Sequence, residues 1–153
     1  MANGGQYRIP MGVRGGDGGM HQIEIIYDPG ADVCMLTAQT SRQLGFDPEQ
    51  MPGRVFPVSG ITGSGQPFRE IQNLIQIGDL TPIWIPMGLA FEEKSLPENL
   101  LGRRGIMDSG VYQIIQDETG ITFQEKGGPV AMLANAGSRI PYSLRSMFRL
   151  QTI

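Results

Sequence analysis

The chain has one cysteine, Cys34, one histidine, His21, and one tryptophan, Trp84, among its 153 residues. A single cysteine excludes a disulfide within the chain. Cys34 lies in the apolar run Val33-Cys34-Met35-Leu36 and reads as a small buried side chain, not a nucleophile. One Cys and one His argue against a zinc site of the usual nitrogen and sulfur type. A Ser-His-Asp triad would have to use His21, and no nucleophile-elbow sequence accompanies it. Long apolar runs are also missing. No stretch is suited to spanning a membrane, and nothing at the start reads as a signal peptide. A soluble chain is expected, its lone thiol compatible with a reducing compartment.

Acid is missing from one end. Residues 126–153 carry four basic side chains and no acidic one, a net of +4, whereas residues 1–125 hold eight basic against fifteen acidic, a net of −7. A basic segment of this kind can bind nucleic acid or anionic lipid, but is more often a solvated extension. The total of −3 excludes nothing. What is abundant is 22 glycines and 11 prolines, which disfavour long helices and favour many short strands joined by turns. The length is that of one domain with a real core. The expected organisation is a flexible leader over 1–5, a domain over 6–125 and a basic extension over 126–153.

Strands are expected over Gln6 to Val13 and Met20 to Tyr27, joined by the turn Arg14 to Gly19, and again over Val33 to Leu36. Thr37 to Gly45 is the first helix candidate, capped by Thr37 and ended by Gly45. Arg54 to Ile61 and Gln66 to Ile77 form a hairpin about Thr62-Gly63-Ser64-Gly65. Leu80 to Ala90 follows as a strand in which Pro82 and Pro86 imply an edge or bulges. Asn99 to Met107 begins as a buried apolar strand and then turns into a short helix. Val111 to Gln116 and Ile121 to Glu125 make a last hairpin. Beyond it periodicity is weak, although Leu144, Met147 and Phe148 could share one face of a short helix.

Asp28-Pro29-Gly30 poses the functional question. Pro29 fixes φ and Gly30 tolerates positive φ, so the tripeptide is a turn in any protein. This turn, however, lies between two apolar runs, where a fold can hold a carboxylate in a dry and rigid place. Three features stand in order: Asp28-Pro29-Gly30-Ala31-Asp32 after an apolar strand, the glycine-tipped Gly60-Ile61-Thr62-Gly63-Ser64-Gly65, and Leu100-Leu101-Gly102-Arg103 before a short helix. Together, over roughly residues 6 to 125, they resemble the retroviral-type, or retropepsin-like, aspartic proteases.

The resemblance implies an all-β half-barrel with one or two short helices, completed as a C2 homodimer in which each chain contributes Asp28. It implies endopeptide hydrolysis by an activated water, without metal or cofactor. Gly30 and Ala31 would complete the active-site loop with Pro29. Residues Gly60 to Gly65 would act as a flap over an extended peptide or polyprotein substrate. Asp32 would pair with Arg103. No nucleic acid partner is expected for the domain. The basic extension reads as a linker retained from a longer polyprotein.

Asp108-Ser109-Gly110 fits the usual Asp-Ser/Thr-Gly pattern better than Asp28-Pro29-Gly30 does. Val111 follows it where Ala is expected, and neither a flap-like hairpin nor a Leu-Leu-Gly comes after, so it reads as a turn. Two departures qualify the resemblance. Arg104 stands where the family usually places Asp or Asn. Pro29 stands where it has Thr or Ser, and proline supplies neither the hydroxyl nor the N–H that bond across the dimer axis. A catalytically impaired domain that dimerises or binds peptides is therefore the alternative. An unrelated small β-barrel with a basic tail would leave the ordered motifs a coincidence.

Overall fold

The computed structural model describes residues 6–59 and 65–126, with the backbone of the strands at 130–135, 139–140 and 151–152. The leader 1–5, most of the glycine-tipped segment (60–64) and the Leu144, Met147 and Phe148 face lie outside the described residues.

Strands β1 (Gln6–Arg14) and β2 (Met20–Tyr27) form the first hairpin, followed by β3 (Cys34–Leu36). Helix α1 (Ala38–Gln43) comes next, its Thr37 hydroxyl accepting the Thr40 N–H at 3.0 Å. Strands β4 (Val55–Ser59), β5 (Gln66–Gln76) and β6 (Ile83–Ala90) make an antiparallel meander. A short helical turn, Glu93–Ser95, leads to β7 (Leu100–Leu101). A distorted helical turn, Arg103–Met107, precedes β8 (Tyr112–Asp117) and β9 (Gly120–Glu125). The basic end of the chain supplies β10 (Val130–Asn135), β11 (Arg139–Ile140) and β12 (Gln151–Thr152).

The main sheet has the order β11-β1-β2-β7-β3-β6-β5-β4-β12. Gly12 and Val13 of β1 also pair with Gln76 and Ile75 of β5, so the six strands from β1 round to β5 close into a ring. Late in the sequence, β7 is threaded between the early strands β2 and β3, parallel to β2 and antiparallel to β3. A second sheet, β10-β9-β8, packs Ile121 and Phe123 against the main core.

Strand alternation divides the buried side chains between two faces. Tyr7, Ile9, Met11, Val13, Ile25, Tyr27, Cys34, Leu36 and Leu101 share one cluster. Ile26, Val33, Met35, Leu100, Phe56 and Phe68 share the other. Neighbours in sequence such as Leu100 and Leu101 therefore serve different clusters, and both are fully buried.

Two expectations change. Thr81 and Pro82 stay outside the strand expected from Leu80, and β6 begins at Ile83. The short helix expected after the Leu-Leu-Gly-Arg segment is one irregular turn, because Arg104 is extended and Gly105 has φ +91°. A Cβ on Gly105 would lie 2.8 Å from Ile85 Cβ, so this turn is pressed onto β6. The segment after Glu125 pairs with the body in three places: β10 with β9, β11 with β1 and β12 with β4.

Candidate active site

Asp28 follows the last residue of β2 and is 1% exposed. Its backbone is fixed from the next strand, since its N–H donates to the Leu101 carbonyl at 3.0 Å. The Ile26 N–H donates to the Asn99 carbonyl at 2.9 Å, one step earlier on the same ladder. The turn then closes on itself. The Gly30 N–H donates to Asp28 Oδ1 at 2.9 Å, and the Ala31 N–H to the Asp28 carbonyl at 3.1 Å. Pro29, with no N–H to offer, takes the position in this turn that needs none. Pro29 and Gly30 are half-buried and Ala31 is buried.

The far side of the loop is held by the segment after β7. Arg103 N–H donates to the Ala31 carbonyl and Arg104 N–H to the Asp32 carbonyl, both at 3.0 Å. Arg103 Nη2 lies 2.6 Å from Asp32 Oδ1 in an ion pair whose side chains are half and about a quarter exposed. The sequence 28–32 is thus bonded along its length to 101–104, and a turn that would be floppy alone becomes part of the sheet.

Asp108, the competitor, is exposed in a turn, its N–H bonded to the Arg103 carbonyl at 3.1 Å. Gly65, the described end of the expected flap, is exposed and precedes β5. The remaining flap residues, Gly60, Ile61, Thr62, Gly63 and Ser64, lie outside the described residues.

Two polar groups on the segments paired with β2 carried no signal in the sequence beyond their chemistry. Arg8 stands opposite Ile26, and its guanidinium meets Glu98 in a two-pronged pair, with both N···O distances 3.2 Å. Asn99 is 9% exposed and ties three elements together. Its Oδ1 accepts the Thr37 N–H at 2.9 Å, and its Nδ2 donates to the Glu24 carbonyl at 3.0 Å and to Thr40 Oγ1 at 3.1 Å. A lone Asn before two leucines was the available clue, because a polar residue entering a buried strand needs partners.

A cavity of about 350 Å³ is lined by Thr37, Thr40, Glu93, Leu96, Glu98 and Asn99, among others. Another of about 550 Å³ lies against Arg14, Phe46, Met51 and Asn73. Asp28 lines neither cavity.

No protein-family model matches this sequence, and no curated protein matches it. A solved structure does: a retropepsin-like aspartic protease from Rickettsia conorii, at 17% identity and a TM-score of 0.55, over 78% of this chain and 89% of that one. At that identity the likeness speaks for architecture. The chain has a retropepsin-like, all-β fold with few short helices. Among the described residues no helix is long and apolar enough to cross a membrane.

Proposed function

We propose that this chain is an aspartic endopeptidase that works as a homodimer, with Asp28 of each protomer in one shared site. The observation that supports it best is the setting of Asp28. A buried carboxylate sits on a tight turn whose backbone is clamped by β7 within a retropepsin-like fold. A carboxylate is costly to bury for structural reasons alone, and that favours a chemical role.

One Asp cannot perform this chemistry. Two carboxylates about 3 Å apart cannot both ionise, so they share a proton and titrate as a pair, the general pattern of aspartic proteases. The ionised member takes a proton from water as the water oxygen attacks the peptide carbon. The protonated member gives its proton to the carbonyl oxygen, forming a tetrahedral diol. A proton then reaches the amide nitrogen, the C–N bond breaks, and an acid and an amine leave. Folds of this type are usually dimeric, and Gly30 keeps the two loops free of side chains where they meet.

On this reading Ile61 to Gly65 cover an extended peptide, which lies across the site and adds a strand by main-chain bonds. On this reading the natural substrate is a polyprotein. The second reading, a dimerising or peptide-binding domain without turnover, is favoured by Pro29, which removes a hydroxyl and an N–H from the turn.

Digestion of a mixed peptide library from acid to neutral pH, with Asp28→Asn in parallel, separates the two. Cleavage by the parent alone supports the peptidase. Cleavage by neither, at concentrations where the protein is dimeric, supports the second reading. Asp28-Pro29 and Asp47-Pro48 are acid-labile bonds, so the chain itself is checked for nicking at each pH.

A further inference from the structure

We propose that the outer edge of β4 is a strand-addition site for an extended peptide, and that the chain's own β12 is its resident occupant. Backbone register carries the inference. On β5, Gln66 faces Val58, Pro67 faces Pro57 and Phe68 faces Phe56. In an antiparallel ladder, facing residues alternate between exchanging both N–H···O bonds and exchanging none. Two facing prolines have no N–H to exchange, so Pro57 and Pro67 are a non-bonded pair. The bonded pairs are therefore Phe56 with Phe68 and Val58 with Gln66.

It follows that both backbone groups of Ser59 point away from β5, towards the outer edge of the sheet. The Pro57 carbonyl points the same way, with no N–H beside it. Strand β12 lies on that edge, Gln151 facing Ser59 and Thr152 facing Val58. By the same alternation Gln151 and Ser59 exchange bonds, and Thr152 and Val58 do not. Beyond Val58 the same edge offers the Pro57 carbonyl but no N–H.

Charge favours the same occupant. Residues 1–125 carry a net of −7 and residues 126–153 a net of +4, so the tail is drawn to its own body. A second tail strand, β11, pairs with Gln6 and Tyr7 of β1, which holds the tail close. Tethering raises its effective concentration over any peptide free in solution. Both tail strands cover edges that would otherwise present bare backbone groups. In sequence, β4 leads directly into the glycine-rich stretch at 60–65. The proposal does not depend on catalysis, and an inactive chain tests it equally.

The test is amide exchange on the full chain, read by NMR at Ser59 and Gln151. Gln151→Pro should make Ser59 exchange about tenfold faster or more, while Gln151→Ala, which keeps the N–H, should leave it unchanged. Protection at Ile71 and Asn73 in the β5–β6 ladder reports that the variant is folded. A synthetic peptide of residues 146–153 should restore Ser59 protection in Gln151→Pro. The wild type needs no variant: excess unlabelled peptide should speed exchange at its own Gln151 while Ser59 stays protected. Equal Ser59 rates in wild type and Gln151→Pro would overturn the pairing. Gln151 protection that does not respond to saturating peptide would overturn the exchangeable site.

Discussion

Gly102 runs so close to Val33 that a Cβ on it would lie 2.5 Å from the Val33 carbonyl oxygen. The obstructing atoms are backbone, so nothing nearby can rotate out of the way. The contact locks the exit of β7 against the end of the Asp28 loop. Gly102→Ala should therefore cost about 3 kcal/mol or more, as for a severe overpacking of the core. Urea denaturation measures the loss. Amide exchange at Asp28 and Ala31 should rise with it, because their loop is bonded to 101–103.

The ion pair between Asp32 and Arg103 should behave differently. It is short, at 2.6 Å, but the Arg103 side chain is half exposed and screened by water. Arg103→Ala should lower stability by about 1 kcal/mol or less. The backbone bond from Arg103 N–H to the Ala31 carbonyl survives the substitution, so the loop should stay in place. A loss of several kcal/mol in the same denaturation assay would show that the guanidinium carries more of the loop than its exposure allows.

Much of this architecture was legible in the sequence, and the exceptions have causes. Met20 to Tyr27 was readable because its ends are marked by glycines and by Asp-Pro-Gly. Thr37 and Gly45 marked α1 because capping and positive φ are local chemistry, and Gly45 does have φ +87°. The burial of Asp28 was legible because its turn signal lies between two apolar runs. Strands β11 and β12 were not: two-residue strands carry no period, and their partners in β1 and β4 lie far away in sequence. Nor was the Asn99 network, which depends on three elements meeting in space.

Asp17 and His21 give a pH test at the surface. His21 Nε2 lies 2.9 Å from Asp17 Oδ1. The Asp17 carboxyl is held below its ordinary 3.8 first by the hydrogen bond to His21 and then by the Gly19 N–H. A lowered folded pKa means the contribution is whole above the ordinary value and is lost as pH falls through the folded one. NMR titration of Asp17 should thus give a midpoint below 3.8 that moves upward in His21→Gln. An unmoved midpoint would assign the shift to Gly19.

Cys34 makes the opposite test at high pH. Burial pushes its thiol from 9.0 up to about 12, so the folded chain keeps the proton that the unfolded chain releases. Its share of stability is whole below pH 9.0 and drains as pH rises towards about 12. Thiol reagents at pH 8 should leave the native chain unmodified and label it only after denaturation, as counted by mass spectrometry.

Pro29 is where the two functional readings divide, and a single substitution sets them against each other. Pro29→Thr returns a backbone N–H and a hydroxyl to a half-buried turn already fixed by the bonds of Asp28, Gly30 and Ala31. The φ constraint is lost, which costs up to about 1 kcal/mol through the unfolded chain. In a monomer nothing offsets that loss, and stability should simply fall. In a dimer whose loops face each other, the new donors can bond across the axis, each worth about 1 kcal/mol. Two protomers gain together, so the dimer dissociation constant should fall by about tenfold or more by sedimentation, with peptide cleavage rising at low protein concentration. Lower stability with unchanged association would mean that these loops do not face one another, and the shared Asp28 site would have to be given up.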